Sequence, residues 1–286
     1  MLDDGTETLD RSAEEIAHEN GIPPCPVILT RLLRETRADE PDARRIGRFV
    51  TGDVGLAAAI LRIANSPFYG LRTKAASVHQ ALALLGIRAV TQLVTGLLLR
   101  QAFPAAAGRG MERYWKASTA SALIAALVSR ETRAANAELA HTYVLFRDCD
   151  MALMLRRFAD YGDIMEGTAL AAGAAVPSLE SRRYGINHSR IGAQLARTWQ
   201  LSGPVCGAIL DHHEIAASAL ARDQAEPESC LLVAVGLAAE RIYCAATGTV
   251  CREWAGAAEW VLPVLRIDQD ALEEFAVRVK ASLDHV

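Results

Sequence analysis

The side chains best suited to chemistry are imidazoles and carboxylates in the second half of the chain. His188, His212 and His213 offer nitrogen donors, and Asp148 and Glu240 offer oxygens. Taken alone, the three histidines suggest a metal site, because imidazole is a common ligand of divalent cations. Their spacing argues against a shared ion. Adjacent helical residues point about 100° apart, so His212 and His213 are not expected to reach one cation easily. Arg147 stands beside Asp148, and a guanidinium has no lone pair to give a metal. An ion pair with Asp148 is the expectation there. His141 lies about a turn and a half before Arg147 and reads as a core or surface histidine. Other chemistries lack their motifs, since no G-x-S-x-G elbow, P-loop or G-x-G-x-x-G occurs. The cysteines (Cys25, Cys149, Cys206, Cys230, Cys244, Cys251) form no C-x-x-C pair and mostly adjoin apolar residues. They read as buried free thiols.

The elements that must position these groups read as helices. About 50 of the 286 residues are Ala, and only three of the 30 basic residues are Lys (Lys74, Lys116, Lys280). Ala favours helix formation because it has no side-chain entropy to lose; GC-rich coding DNA would produce the same bias. A helix is expected from Asp10 or Ser12 to Asn20. Residues Ile22 to Pro26 are extended, since a residue before Pro avoids the α region. Helices then follow over Val27–Thr36, from Pro41 onward, and over Val54–Ala64 with Asp53 as cap. Asn65 to Leu71 is a turn rich in breakers. Ser77 caps Val78–Leu85, Gly86 interrupts, and Ile87–Ala102 resumes. A subdomain boundary is placed at Pro104 to Gly110. Further helices are expected over 111–133, Leu139–Phe158, Tyr161–Gly173, Ser178–Tyr184, His188–Trp199, Pro204–His213, Ser229–Ala246 and Asp268–Leu283. Residues 216–228 contain a polar loop, and Trp254 and Trp260 are core. No strand pattern stands out. The expected fold is all-α, with an N-terminal helical subdomain (1–104) and a second helical subdomain (110–286).

Three stretches, in order, carry a family resemblance. The first is Ile22-Pro23-Pro24 with the helix to Arg34. The second runs from Gly52-Asp53 through Leu56 to Leu61-Arg62-Ile63-Ala64-Asn65-Ser66-Pro67-Phe68-Tyr69-Gly70. The third is Ser77 to Ala81, then Leu84-Leu85-Gly86-Ile87-Arg88. Together they resemble the HDOD domain, a bacterial signalling relative of the HD and HD-GYP phosphohydrolases, over about residues 15–215. The second stretch is similar to that family's D-P-x-L-x-x-x-L-L-R-x-A-N-S-A-x-Y-G. The resemblance implies an HD-like helical bundle.

HD phosphohydrolases hold metal with a His, an adjacent His-Asp pair and a closing Asp, and the metal activates a bound water for attack on phosphorus. Residues Ala140 to Asp150 resemble the helix carrying that pair, with Arg147 on the His position and Asp148 on the Asp. Tyr114 to Ser118 resembles the segment of the first ligand, which then falls on Ala117 or Ser118. Glu180 and Tyr184-Gly185-Ile186-Asn187-His188 resemble E-x-x-x-Y-G-x-D-H, and His212-His213 resembles the terminal H-H. Glu240 alone lies near the closing acid. The resemblance therefore implies relict positions (Arg147, Asp148, His188, His212, His213), no metal, no cofactor and no catalytic residue.

The reading is a non-enzymatic regulatory module acting through protein contacts, in two-component or cyclic-di-GMP pathways. Its candidate partner surface is Arg62, Asn65, Ser66, Phe68, Tyr69 and Gly70, with a purely structural turn as the competing account. Alternatives are a divergent metal-dependent phosphohydrolase and a small-molecule sensor using the relict pocket. A net charge of −4 argues against coating nucleic acid. No uncharged run reaches the roughly 18 residues of a spanning helix, and Met1-Leu2-Asp3-Asp4-Gly5 is wrong for a signal peptide. A cytoplasmic protein with signalling proteins as partners is expected, and a homodimer is compatible with it.

Overall fold

The computed structural model describes residues 21–66, 69–103, 108–162, 175–251 and 253–283. The expected helix before Gly21, Pro67 and Phe68 of the turn, residues 104–107 of the boundary and most of 161–173 lie outside them. Fourteen helices and no strand occur among the described residues. In chain order they are α1 (Val27–Thr36), α2 (Ala43–Thr51), α3 (Val54–Ala64), α4 (Val78–Ala102), α5 (Gly108–Thr132), α6 (Ala137–Phe146), α7 (Met151–Arg157), α8 (Ala175–Tyr184), α9 (His188–Thr198), α10 (Gly203–Ala217), α11 (Ala219–Gln224), α12 (Pro227–Thr247), α13 (Trp254–Leu265) and α14 (Gln269–Leu283).

Short polar side chains start these helices by satisfying free backbone N–H groups. Asp42 accepts from Arg44 N at 2.8 Å, Asp53 from Leu56 N at 2.9 Å, Ser77 from Gln80 N at 3.1 Å and Asn187 from Arg190 N at 2.9 Å. Gly86 takes φ 85° inside α4, breaking the helical path where the sequence placed an interruption. Helices α1, α2 and α3 pack on α4. The second group is organised around α12, which packs on α5, α6, α10, α13 and α14. One continuous apolar core runs through both groups, and α4 meets α6 at their junction.

The extended segment before α1 is tied across the molecule. Trp199 Nε1 donates to Pro23 O at 3.0 Å, and Arg156 donates to Gly21 O at 3.1 Å. α4 and α12 are long and apolar enough to cross a membrane, by length and composition. More than half of each apolar window is buried in the core, so both serve here as core helices.

Three sequence expectations need correction. Leu139–Phe158 is not one helix, because α6 ends at Phe146 and α7 begins at Met151. The polar loop of 216–228 contains α11, capped by Ser218. Trp254 opens a helix, α13, that sequence reading did not place; Trp254 is buried and Trp260 is half-buried against the core.

Gly236 marks the closest approach of α12 to α6. A Cβ there would lie 2.7 Å from Tyr143 Cε1. Tyr143 is fully buried and has nowhere to go. Gly236→Ala should therefore lower stability by about 1–3 kcal/mol through overpacking, even against the helix-propensity gain of about 1 kcal/mol. A thermal melt unchanged by G236A would contradict this packing.

Candidate functional site

The break between α6 and α7 creates the site. It frees Arg147 to Asp150 from a helical register and turns them toward the start of α9 and the middle of α10. His188 is the first residue of α9, held there by the Asn187 cap. Glu180 on α8 receives three hydrogen bonds: from Tyr161 Oη at 2.6 Å, from the His188 backbone N–H at 2.9 Å, and through His188 Nδ1 at 2.7 Å. Both His188 and Glu180 are fully buried. Burial opposes the Glu180 carboxylate, but these bonds hold it below its usual range.

His212 and His213 stand adjacent on α10. The expectation that they could not share a target is not what the structure shows. Their ring centroids are 4.1 Å apart, and one ligand atom from each of His188, His212 and His213 lies within 4.8 Å of the others. Two long imidazole side chains lean together where helix geometry alone would splay them. Each outer nitrogen faces an acceptor: Glu180 for His188, Ile209 O at 2.8 Å for His212 Nδ1, and Glu253 Oε1 at 3.3 Å for His213 Nδ1. The Nδ1 partners of His188 and His212 assign their protons to Nδ1 and leave their Nε2 atoms as acceptors, whereas His213 Nδ1 makes no hydrogen bond. His213 Nε2 sits 3.0 Å from His188 Nε2. That distance fits an Nε2–H of one ring donating to the other, or a cation held by both. His212 Nε2 is buried without a hydrogen bond, and Asp148 Oδ1 lies 3.5 Å away. The same oxygen is 3.9 Å from His188 Nε2.

The other half of the site is built differently. Arg147 Nε donates to Asp148 Oδ2 at 2.8 Å, and Nη2 donates to Glu240 Oε2 at 3.1 Å. The ion pair expected with Asp148 is present, with Glu240 as a second partner. Burial opposes the Asp148 carboxylate, but Arg147, then His212 and His188, hold it well below its usual range. Burial raises Glu240, with Arg147 opposing. Burial also raises Asp150, with Asp148 next. Asp150 is fully buried, has no hydrogen-bond partner on either oxygen, and lies against Gly192.

The fit to a metal therefore differs across the site. The imidazole half fits one, with a ring nitrogen from each of three histidines gathered within 4.8 Å and His212 Nε2 orphaned. The His-Asp half does not, because Arg147 puts donors where a ligand must accept. Ser118 Oγ is engaged with Leu145 O at 3.4 Å and does not replace a ligand. His141 is buried outside the cluster, and Cys149 is buried with its thiol raised by that burial.

Sequence reading missed the roles of Glu180, Tyr161, Asp150 and Glu253. The Glu180 spacing to His188 was a usable signal. Glu253 had none, because it lies 40 residues beyond His213 in an unplaced segment.

The candidate partner surface separates into structural and exposed parts. Asn65 Nδ2 donates to Ala75 O at 2.9 Å and Asn65 Oδ1 accepts from Ala75 N at 2.7 Å, closing the 65–75 loop. Ser66 is buried. Tyr69 packs against the core, and burial raises its phenol well above the usual value. It lines a cavity of about 850 Å³ with Leu84, Arg88, Arg130 and Glu138. Arg62 and Gly70 are exposed.

The HDOD domain profile matches residues 22–215. A crystal structure from Shewanella amazonensis SB2B, of a protein provisionally named a phosphohydrolase, is 19% identical. It superposes with a TM-score of 0.73 over 93% of this chain and 94% of its own. An HDOD domain protein of unknown function from Geobacter sulfurreducens is 20% identical, with a TM-score of 0.70 over 98% and 96%. An uncharacterized protein of Treponema pallidum (strain Nichols) is 21% identical over 221 residues, 73% of this chain and 41% of that relative. The chain thus spans less than half the length of this relative. At these identities the structural likeness concerns the fold.

Proposed function

Since the chain belongs to the HDOD domain family, related to the HD phosphohydrolases, we propose that it works as a signal-transduction module by protein contact and not by catalysis. The observation that carries this reading is Arg147. Its guanidinium takes up Asp148 Oδ2 and Glu240 Oε2, so a fixed positive charge stands at the position that, by the family resemblance, corresponds to a ligand imidazole. An always-protonated donor repels a cation and cannot ligate it. Two-component or cyclic-di-GMP signalling is the setting that the family implies.

The surface this module would present includes the exposed Arg62 beside the Asn65 loop. Arg62→Ala should weaken capture of a partner from native cells with no change in Tm. Tyr69→Ala should lower Tm as well, because that side chain is packed. The catalytic alternative is tested directly. Protein produced with Mn, Fe and Zn should neither open cyclic dinucleotides to linear products nor release phosphate from phosphate monoesters above buffer. Steady turnover would remove the proposal.

One observation favours a second reading. His188, His212 and His213 would hold a divalent cation through Nε2, with Asp148 Oδ1 the nearest carboxylate oxygen. Such an ion would supply an acidified bound water. Glu180 and Glu253 would orient their imidazoles, and Glu180 would be kept in place by Tyr161. Elemental analysis separates the readings: stoichiometric metal without turnover is a regulator carrying an ion, and metal with turnover is a divergent phosphohydrolase.

A further inference from the structure

The charges of this chain are unevenly distributed. Residues 43–110 contain nine Arg or Lys and a single acid, Asp53, whereas the rest of the chain contains 21 basic and 33 acidic residues. The segment is thus a local reversal of sign in an acidic chain. A coding bias toward Arg would raise arginine everywhere; it would not remove Asp and Glu from one segment.

The fold turns that reversal into a face. α1, α2 and α3 pack on α4, and α2 touches both α1 and α3. Leu29 and Leu32, Ile46 and Val50, and Leu56 and Ile60 are fully buried, and the helical period carries the opposite sides of the three helices outward. The exposed charged residues on these helices are Arg31, Arg34, Arg44, Arg45, Arg48 and Arg62, all of one sign. The one acid within the three helices, Glu35, is buried and holds Arg45 at 2.9 Å. Asp42 and Asp53 are spent on capping, with Asp42 near Arg45 and Arg48. The other five arginines form no ion pair among the described residues. Val27 shares a helix side with Arg31 and Arg34, and Val54 with Arg62; these valines are 67% and 82% exposed.

We propose that the outer face of α1, α2 and α3 is a docking surface for an acidic protein segment with apolar side chains among its carboxylates. This rests on the protein-contact reading above and supplies the chemistry of the partner. Guanidinium groups pair bidentately with carboxylates and are more weakly hydrated than ammonium groups. The exposed valines give apolar side chains of the partner something to cover. Nucleic acid fits less well. Its charge repeats along a rod at every ~1.7 Å, and a rod longer than this face would run onto a molecule whose remaining residues carry an acidic excess. Its phosphates also offer the valines nothing.

The probe is a fluorescein-labelled peptide of repeated Glu-Glu-Leu, titrated with the full chain at low ionic strength and read by fluorescence anisotropy. Arg44→Glu with Arg48→Glu should weaken its binding about tenfold, with Tm unchanged because both side chains are exposed. Arg182→Glu with Lys280→Glu makes the same change in net charge at exposed positions of α8 and α14, and should bind as the parent does. Added salt should weaken the parent complex by screening its exposed charges. Equal losses in the two double variants would reduce the effect to net charge and overturn the proposal. So would a parent that does not bind the peptide, or one that binds duplex DNA more tightly through the same two arginines. A parent dimer that R44E/R48E splits in sedimentation would assign the face to a second copy instead. Capture from native cells separates this inference from the reading beneath it: a partner still retained by R44E/R48E keeps the protein-contact reading and removes this face.

Discussion

Arg147→Ala is expected to destabilise the protein by about 3 kcal/mol, near the lower end of the range for breaking a buried ion pair. The guanidinium is the only described cation bonded to both Asp148 and Glu240. Without it, two carboxylates face each other in a pocket that also holds Glu253. Burial already raises Glu240 with Arg147 present, so removing Arg147 should push that group further toward its neutral form. The side chain of Arg147 is 16% exposed, and water reaching the vacated space keeps the loss from the upper end of the range. Arg147→Lys should fall between, because an ammonium keeps the charge but loses the fork that serves two acids. Arg147→Ala with Glu240→Gln should recover part of the loss by removing one of the stranded charges. Urea unfolding at pH 7 measures all three. A loss below about 1 kcal/mol for R147A would show that the ion pairs do not organise this half of the site.

The same residue shows how far a sequence can be read. Arg147 was identifiable as a misfit, since its chemistry forbids ligation whatever its geometry. The caps at Asp53 and Ser77 were equally legible, because short polar side chains act locally. The break at 147–150 was not. Leu145, Cys149 and Leu153 keep an apolar spacing of four across it, and that pattern fits one helix as well as two. What lies there is tertiary: Asp148 faces the imidazoles of α9 and α10. His212 and His213 show the opposite limit. Helical angle alone separates them, yet side-chain length brings their rings together. Glu253 was illegible for a third reason. Its role depends on α13 folding back to α10, a contact between elements with no shared local signal.

Lowering the pH from 7 to 4.5 is expected to cost about 2 kcal/mol through His141 alone. His141 is buried with Nδ1 unpaired. Burial, then Arg130, lowers its pKa from 6.5 to about 4. Between those values the unfolded chain takes up a proton that the folded chain refuses. Stability therefore falls with pH across that window, by about 1.4 kcal/mol per unit where the effect is full. His212 acts with the same sign, lowered to about 4 by burial and then by His213. Glu253 adds a later loss. His213 and Arg147 outweigh burial and hold it at about 2, so its contribution is present above about 4.5 and disappears as pH falls toward 2. Asp150 and Glu240 oppose these trends. Their raised values mean a cost at neutral pH that is relieved as pH falls through their folded pKa. The whole curve is thus a sum of opposing terms, and only a single-site comparison isolates one of them. His141→Gln removes the titrating group outside the cluster while keeping a similar size. Urea unfolding of both proteins at pH 7 and 4.5 should show the variant losing about 2 kcal/mol less than the parent. Parallel losses would mean that His141 takes up its proton in the folded state, and that its pocket admits water that the packing of α6 excludes.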